Sequence, residues 1–194
     1  VYDQWVTLGK SAPVEMAFVE VPFSSCTADF NGDGFVDIVG TRLYWPSVDR
    51  GRPIEILLGD GAGGFAPSTD TIYGMTPEPV HPREIVISDF NADGRPDLFI
   101  ADHGYDSNPF PGNANWLLLS ETGGKMRGSK IDERPDFTHS AAAGDYDGDG
   151  DMDMWSWNEF SSALYFFKNM AVENGSCGTM DFVCRNRCYG MFGE

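Results

Sequence analysis

The chain reads as all-β, built from about three four-stranded β-propeller blades. Three observations predict this. A nine-residue acidic loop recurs in one frame, with first aspartates at 29, 89 and 145, so the period is 60 and then 56 residues. Within each period, apolar runs of five to six residues lie between Gly and Asp turns, the pattern of strands and hairpins. Helical 3.6-residue periodicity is absent over any window of useful length. Four strands per ~60 residues, repeated, is the pattern of propeller blades rather than of one sandwich.

Each unit justifies its elements in the same order. A strand precedes the loop at Ser24–Ala28, at 84–88 and at 140–144, and the residue just before the loop is small each time (Ala28, Ser88, Gly144), as close backbone approach requires. A second strand follows the loop. A third is predicted at Ile54–Gly59, 115–120 and 163–168; Ile56-Leu57-Leu58 aligns with Trp116-Leu117-Leu118 without a gap. In the third copy the connection before this strand is eight residues shorter. Gly59-Asp-Gly-Ala-Gly-Gly and Glu121-Thr-Gly-Gly then turn the chain into a weaker fourth strand. The expected organisation is a lead-in strand region at 1–20, units at 21–80, 81–136 and 137–171 (the last shortened), and a Cys-containing tail at 172–194.

The acid has a pattern that suits a cation. The segments 29–37, 89–97 and 145–153 hold eleven acidic residues, with Asp at position 1, an aromatic at 2, Asn or Asp at 3, Asp at 5, Gly at 6 and Asp at 9. Oxygen ligands at 1, 3 and 5, a backbone carbonyl at 7 and a further carboxylate suit a hard ion such as Ca²⁺, and Gly at 6 permits the sharp turn. Without a cation these carboxylates repel one another. Solvated Asx turns are the plain alternative, but three copies in one frame favour calcium. The sequence argues against an EF-hand, which needs Glu at position 12, where this chain has Gly40, Ile100 and Ser156.

These loops, each followed by an apolar strand and a Gly-rich turn, resemble FG-GAP/VCBS repeats, the calcium-binding blades of integrin-alpha-type β-propellers, over roughly residues 20–170. The resemblance implies a first ligand set of Asp29, Asn31, Asp33, the Phe35 carbonyl and Asp37. The second is Asp89, Asn91, Asp93, the Arg95 carbonyl and Asp97, and the third Asp145, Asp147, Asp149, the Asp151 carbonyl and Asp153. About three Ca²⁺ per chain follow. Closed propellers have roughly four to eight blades, so the chain is expected to be a partial propeller, either an excerpt of a longer one or a protomer completed by another. The implied setting is extracellular, secreted or cell-surface, as a non-catalytic recognition or adhesion scaffold for a protein or carbohydrate ligand. A lectin-like carbohydrate-binding module, or an accessory propeller of a secreted polysaccharide-degrading enzyme, is the alternative.

Composition narrows the rest. Thirteen Lys+Arg against thirty Asp+Glu give a formal net charge of −17, which repels phosphate backbones and argues against nucleic acid. No apolar run approaches the ~20 residues of a membrane span. Cys26, Cys177, Cys184 and Cys188 show no zinc spacing, and their pairing stays open. Asn174-Gly-Ser176 is a weak glycosylation sequon. No nucleophile-elbow, zincin or P-loop motif occurs. His81, His103 and His139 are spread across the units and read as loop or packing residues, so no catalysis is expected. The loop 102–113 is long, polar and aromatic, open to recognition or to a plain edge role. Trp45, Trp116, Trp155 and Trp157 read as packing aromatics.

Overall fold

Apolar alternation between Asp and Gly turns produces short antiparallel strands in register. The computed structural model describes residues 24–41, 54–68, 72–75, 81–104, 111–131, 137–159, 163–175 and 182–184. The expected lead-in region, Trp45, Cys177 and Cys188 lie outside the described residues. Among the described residues there are thirteen strands in three sheets and no helix.

The first sheet is a meander of β1 (Ser24–Ala28), β2 (Asp37–Thr41), β3 (Ile54–Gly59) and β4 (Phe65–Pro67). The second adds β5 (Ile72–Tyr73) to a meander of β6 (Pro82–Ser88), β7 (Asp97–Asp102), β8 (Trp116–Glu121) and β9 (Lys125–Lys130). β5 runs parallel to β9, although its sequence position is that of the first unit. The third is β10 (Thr138–Gly144), β11 (Asp153–Asn158), β12 (Ala163–Asn169) and β13 (Phe182–Cys184). Its fourth strand thus comes from beyond residue 171.

Predicted and observed strands differ mostly at their ends. β6 and β10 begin two residues before the predicted starts, and each carries an irregularity there, at Pro82/Glu84 and Thr138/Ser140. A bulge admits the extra residue, and Pro82 at the strand start needs no ladder N–H. The register repeats across the units: Ile38 faces Leu57, Leu98 faces Leu118, and Met154 faces Phe167.

The first strands of the three sheets are neighbours, with β6 packed between β1 and β10. The Ile85 N–H donates to Ser24 Oγ at 3.2 Å, and the Ala141 N–H donates to Glu84 Oε2 at 2.8 Å. Two apolar clusters fill the spaces between sheets. One gathers Val39, Ile56, Leu98, Ile100 and Leu118; the other gathers Phe99, Ala101, Leu117, Met154 and Phe167. Successive β7 residues therefore serve opposite clusters, as the two-residue strand period dictates. This is why β7 is buried at every position. Each fully buried Leu or Phe contributes about 1.5–3 kcal/mol.

The aromatic at loop position 2 joins this packing. Phe30 is 2% exposed within the first cluster and Phe90 is 1% exposed within the second. Their counterpart Tyr146 is 48% exposed, and its hydroxyl suits that half-wet position.

Candidate metal centre

Each loop leaves the first strand of its meander, folds on its own side chains, and enters the second strand. The position-1 aspartate gathers backbone N–H groups of the turn. Asp29 Oδ1 accepts from Gly32 (2.7 Å) and Asp33 (3.1 Å), and Oδ2 accepts from Gly34 (2.8 Å). Asp89 accepts from Asp93 and Gly94 at 3.0 and 2.8 Å, and Asp145 from Gly148 and Gly150 at 2.7 and 3.2 Å. The chain reaches these geometries through left-handed residues at positions 4 and 6. Position 6 is always Gly, while position 4 is Gly32, Ala92 (φ 55°) and Gly148.

Position 5 repeats as well. Asp33, Asp93 and Asp149 accept from the N–H at position 7, on Phe35, Arg95 and Asp151, at 2.8, 3.0 and 3.1 Å. In the first two loops the position-3 amide also donates across the loop, from Asn31 to Asp33 Oδ2 (2.8 Å) and from Asn91 to Asp93 Oδ2 (2.9 Å).

Position 9 has a second duty. Asp37, Asp97 and Asp153 are fully buried. In each, Oδ2 accepts the N–H of the position-2 aromatic (Phe30 2.9 Å, Phe90 3.0 Å, Tyr146 3.0 Å). Oδ1 accepts an N–H from the third strand (Gly59 2.9 Å, Ser120 2.8 Å, Asn169 2.9 Å). The carboxylate clamps the start of the loop to the sheet. A carboxylate has about four lone-pair sites, so two N–H bonds leave it able to meet a cation as well.

The third loop is the most acidic. One carboxylate oxygen each of Asp145, Asp147 and Asp149 lie within 4.8 Å of one another, and so do those of Asp149, Asp151 and Glu173. An all-oxygen set at this spacing fits a hard cation such as Ca²⁺. Asp151 is only 4% exposed; its Oδ2 accepts the Val172 N–H at 3.1 Å, while its Oδ1 has no hydrogen-bond partner. Burial raises the Asp97 and Asp151 carboxyls to about 6, and pushes Asp153 in the same direction. The Lys168 ammonium bonds Asp147 and Glu173 and lies 3.4 Å from Asp149 Oδ2. Those contacts raise the lysine pKa and lower that of Glu173.

A family model for FG-GAP-like repeats matches residues 29–100 and again 89–156, more than half of the chain. The chain belongs to the FG-GAP-like repeat family. Each match to the FG-GAP model opens on the first aspartate of one loop and ends in the strand that follows the next. No curated protein matches the chain.

The structure also joins residues that sequence reading held apart. His81, His103 and His139 converge, with ring centroids 5.5 Å apart for His81–His103 and 6.5 Å for His103–His139. His103 Nε2 lies 3.0 Å from Glu159 Oε2, and Trp157 packs edge-on against His139 at 5.8 Å. His81 and His103 flank the paired ends of β6 and β7 in one unit and His139 lies in β10 of the next, so sequence spacing held no signal for the cluster. Of the tryptophans, Trp116 is buried, and Trp155 packs on Phe166 at 4.6 Å. Asn174 is exposed in a turn. Cys26 is a free, partly buried thiol, pushed up to about 12 by desolvation.

Proposed function

We propose that this FG-GAP-like chain is an extracellular, calcium-stabilised segment of a β-propeller, acting as a recognition or adhesion scaffold with no chemistry of its own. The observation that carries the reading is the loop. One hydrogen-bonded arrangement of carboxylates occurs three times, at the same place in three successive sheets. The ligands are those of positions 1, 3, 5 and 9 with the carbonyl of position 7, and the ions' work is structural. The side-by-side first strands of the three meanders support a radial arrangement of blades. The half-exposed ring of Tyr146, whose counterparts are covered by the next sheet, supports a further blade from a longer chain or another protomer. The partner on the outer surface is a protein or a carbohydrate.

Calcium titration by calorimetry, with melting followed in parallel, tests the reading. At ten times Kd each ion adds about 1.4 kcal/mol, so three add ~4 kcal/mol and raise the melting temperature by many degrees. A melt identical in chelator and in millimolar calcium overturns the structural role of the ions.

A further inference from the structure

Lys168 separates the third repeat from the other two. In register its counterparts are Leu58 and Leu119, since Phe167 stands opposite Met154 as Leu57 stands opposite Ile38 and Leu118 opposite Leu98. The loop it faces has changed with it. Position 3 is Asp147 where the others have Asn31 and Asn91, and position 7 is Asp151 where they have Phe35 and Arg95.

These changes belong together. In the first two loops the Asn side-chain amide supplies a neutral donor to the position-5 aspartate. An ionised Asp147 has no proton to donate. The ammonium takes that place, bonding Asp147 Oδ2 and Glu173 Oε1 and standing 3.4 Å from Asp149 Oδ2, with the lysine side chain only 17% exposed. Asp147 and Asp149 are two of the three aspartates whose oxygens converge in this loop. Arg95 in the second loop is a weaker parallel: it is 39% exposed and, of the second loop's carboxylates, pairs with Asp93 alone.

We propose that Lys168 is a tethered counter-cation of the third loop, which a divalent ion must displace in order to bind there. The inference rests on the reading that the loops hold calcium, and deepens it. An ammonium and a divalent ion in one cluster repel each other. The first loop therefore takes calcium directly, the second against only the more exposed Arg95 on a single ligand, and the third against an internal competitor that spans two ligands. The tether also keeps the third loop folded when calcium is absent.

The test uses the full chain, Lys168→Leu to restore the residue of the other repeats, and Lys168→Arg to keep the charge. The wild type should show two tight calcium ions and a third weaker by on the order of tenfold. Lys168→Leu should bring the third close to the other two, melt lower in chelator, and gain more from calcium than the wild type does. Should it not fold in chelator, its three-ion isotherm in the calcium-refolded protein carries the comparison. Lys168→Arg should keep the weak third site. An unchanged third site in Lys168→Leu, with the first two still binding, overturns the tether alone. A Lys168→Arg variant with a tight third site does the same. Absence of binding at every loop overturns the calcium reading and the displacement with it.

Discussion

Replacing Asp97 with alanine removes two acceptors from a fully buried carboxylate. The Phe90 and Ser120 N–H groups, held at 3.0 and 2.8 Å, lose their partner. Each buried donor left unsatisfied costs about 1–3 kcal/mol. Loss of a desolvated negative charge, whose pKa burial raises to about 6, returns part of this at neutral pH. The net destabilisation expected is about 2–4 kcal/mol, present with or without calcium. Asp93→Ala in the same loop should behave differently. Its bonds to Asn91 and Arg95 lie in the partly exposed part of the loop, so about 1 kcal/mol is expected in chelator, with most of the loss appearing only in calcium. Urea unfolding read by tryptophan fluorescence suits both variants, since Trp116 is buried in β8, the strand whose Ser120 N–H bonds Asp97. With a slope of about 2 kcal/mol per molar, Asp97→Ala should lower the midpoint by ~1–2 M in chelator. A midpoint within ~0.3 M of wild type refutes the clamp, and equal calcium dependence of the two variants refutes the division of labour between positions 5 and 9.

Two further outcomes are expected. Burial raises the Asp97 and Asp151 carboxyls to about 6 and shifts Asp153 upward, so the folded chain holds protons that the unfolded chain has released. Their contribution is complete below the unfolded value of about 4 and is lost as pH rises through 6. The chelated protein should therefore melt several degrees higher at pH 5 than at pH 7.5. Saturating calcium, which needs ionised ligands, should shrink that gain, and a chelated melt that falls on acidification contradicts the burial of these charges. Ala92 holds φ 55° where the other loops have Gly32 and Gly148. Ala92→Gly should stabilise the second loop by about 0.5–1 kcal/mol, measured by urea midpoint; a lower midpoint means the left-handed turn is not strained.

The strands and loops were legible because their determinants are local. Ser24–Ala28 and Ile54–Gly59 are bounded by turn residues and coincide with β1 and β3. The loops close within nine residues through Asp, Asn and Gly, so spacing alone exposes them. The rest depends on partners distant in sequence. β5 is two residues long and exists only by pairing with β9; β13 exists by pairing with β12. Neither carries enough periodicity to be seen alone. The histidine cluster assembles only when β6, β7 and β10 are neighbours. The ungapped alignment set Leu58 against Leu118, but the observed register makes Leu118 the counterpart of Leu57 and Leu119 that of Leu58, one residue further on, so the place of Lys168 over Asp147 needed the structure.

The same nine residues link cation, sheet and neighbour. The position-9 aspartate holds the backbone of the position-2 residue, and in the first two loops that residue's ring lies in the core between sheets. Loosening that carboxylate should therefore free Phe30 or Phe90 and weaken packing against the next unit, so an ion held as proposed would couple to the docking of neighbours. Tyr146 has no such cover. A cation at the third loop would gain less from coupling to a neighbouring sheet, while five carboxylates crowd its nine positions. That loop, short of neighbour support and richest in charge, is the one that Lys168 serves. If the loops hold calcium as proposed, covering Tyr146 with a further sheet would add the missing coupling and should tighten the third loop's hold on the ion.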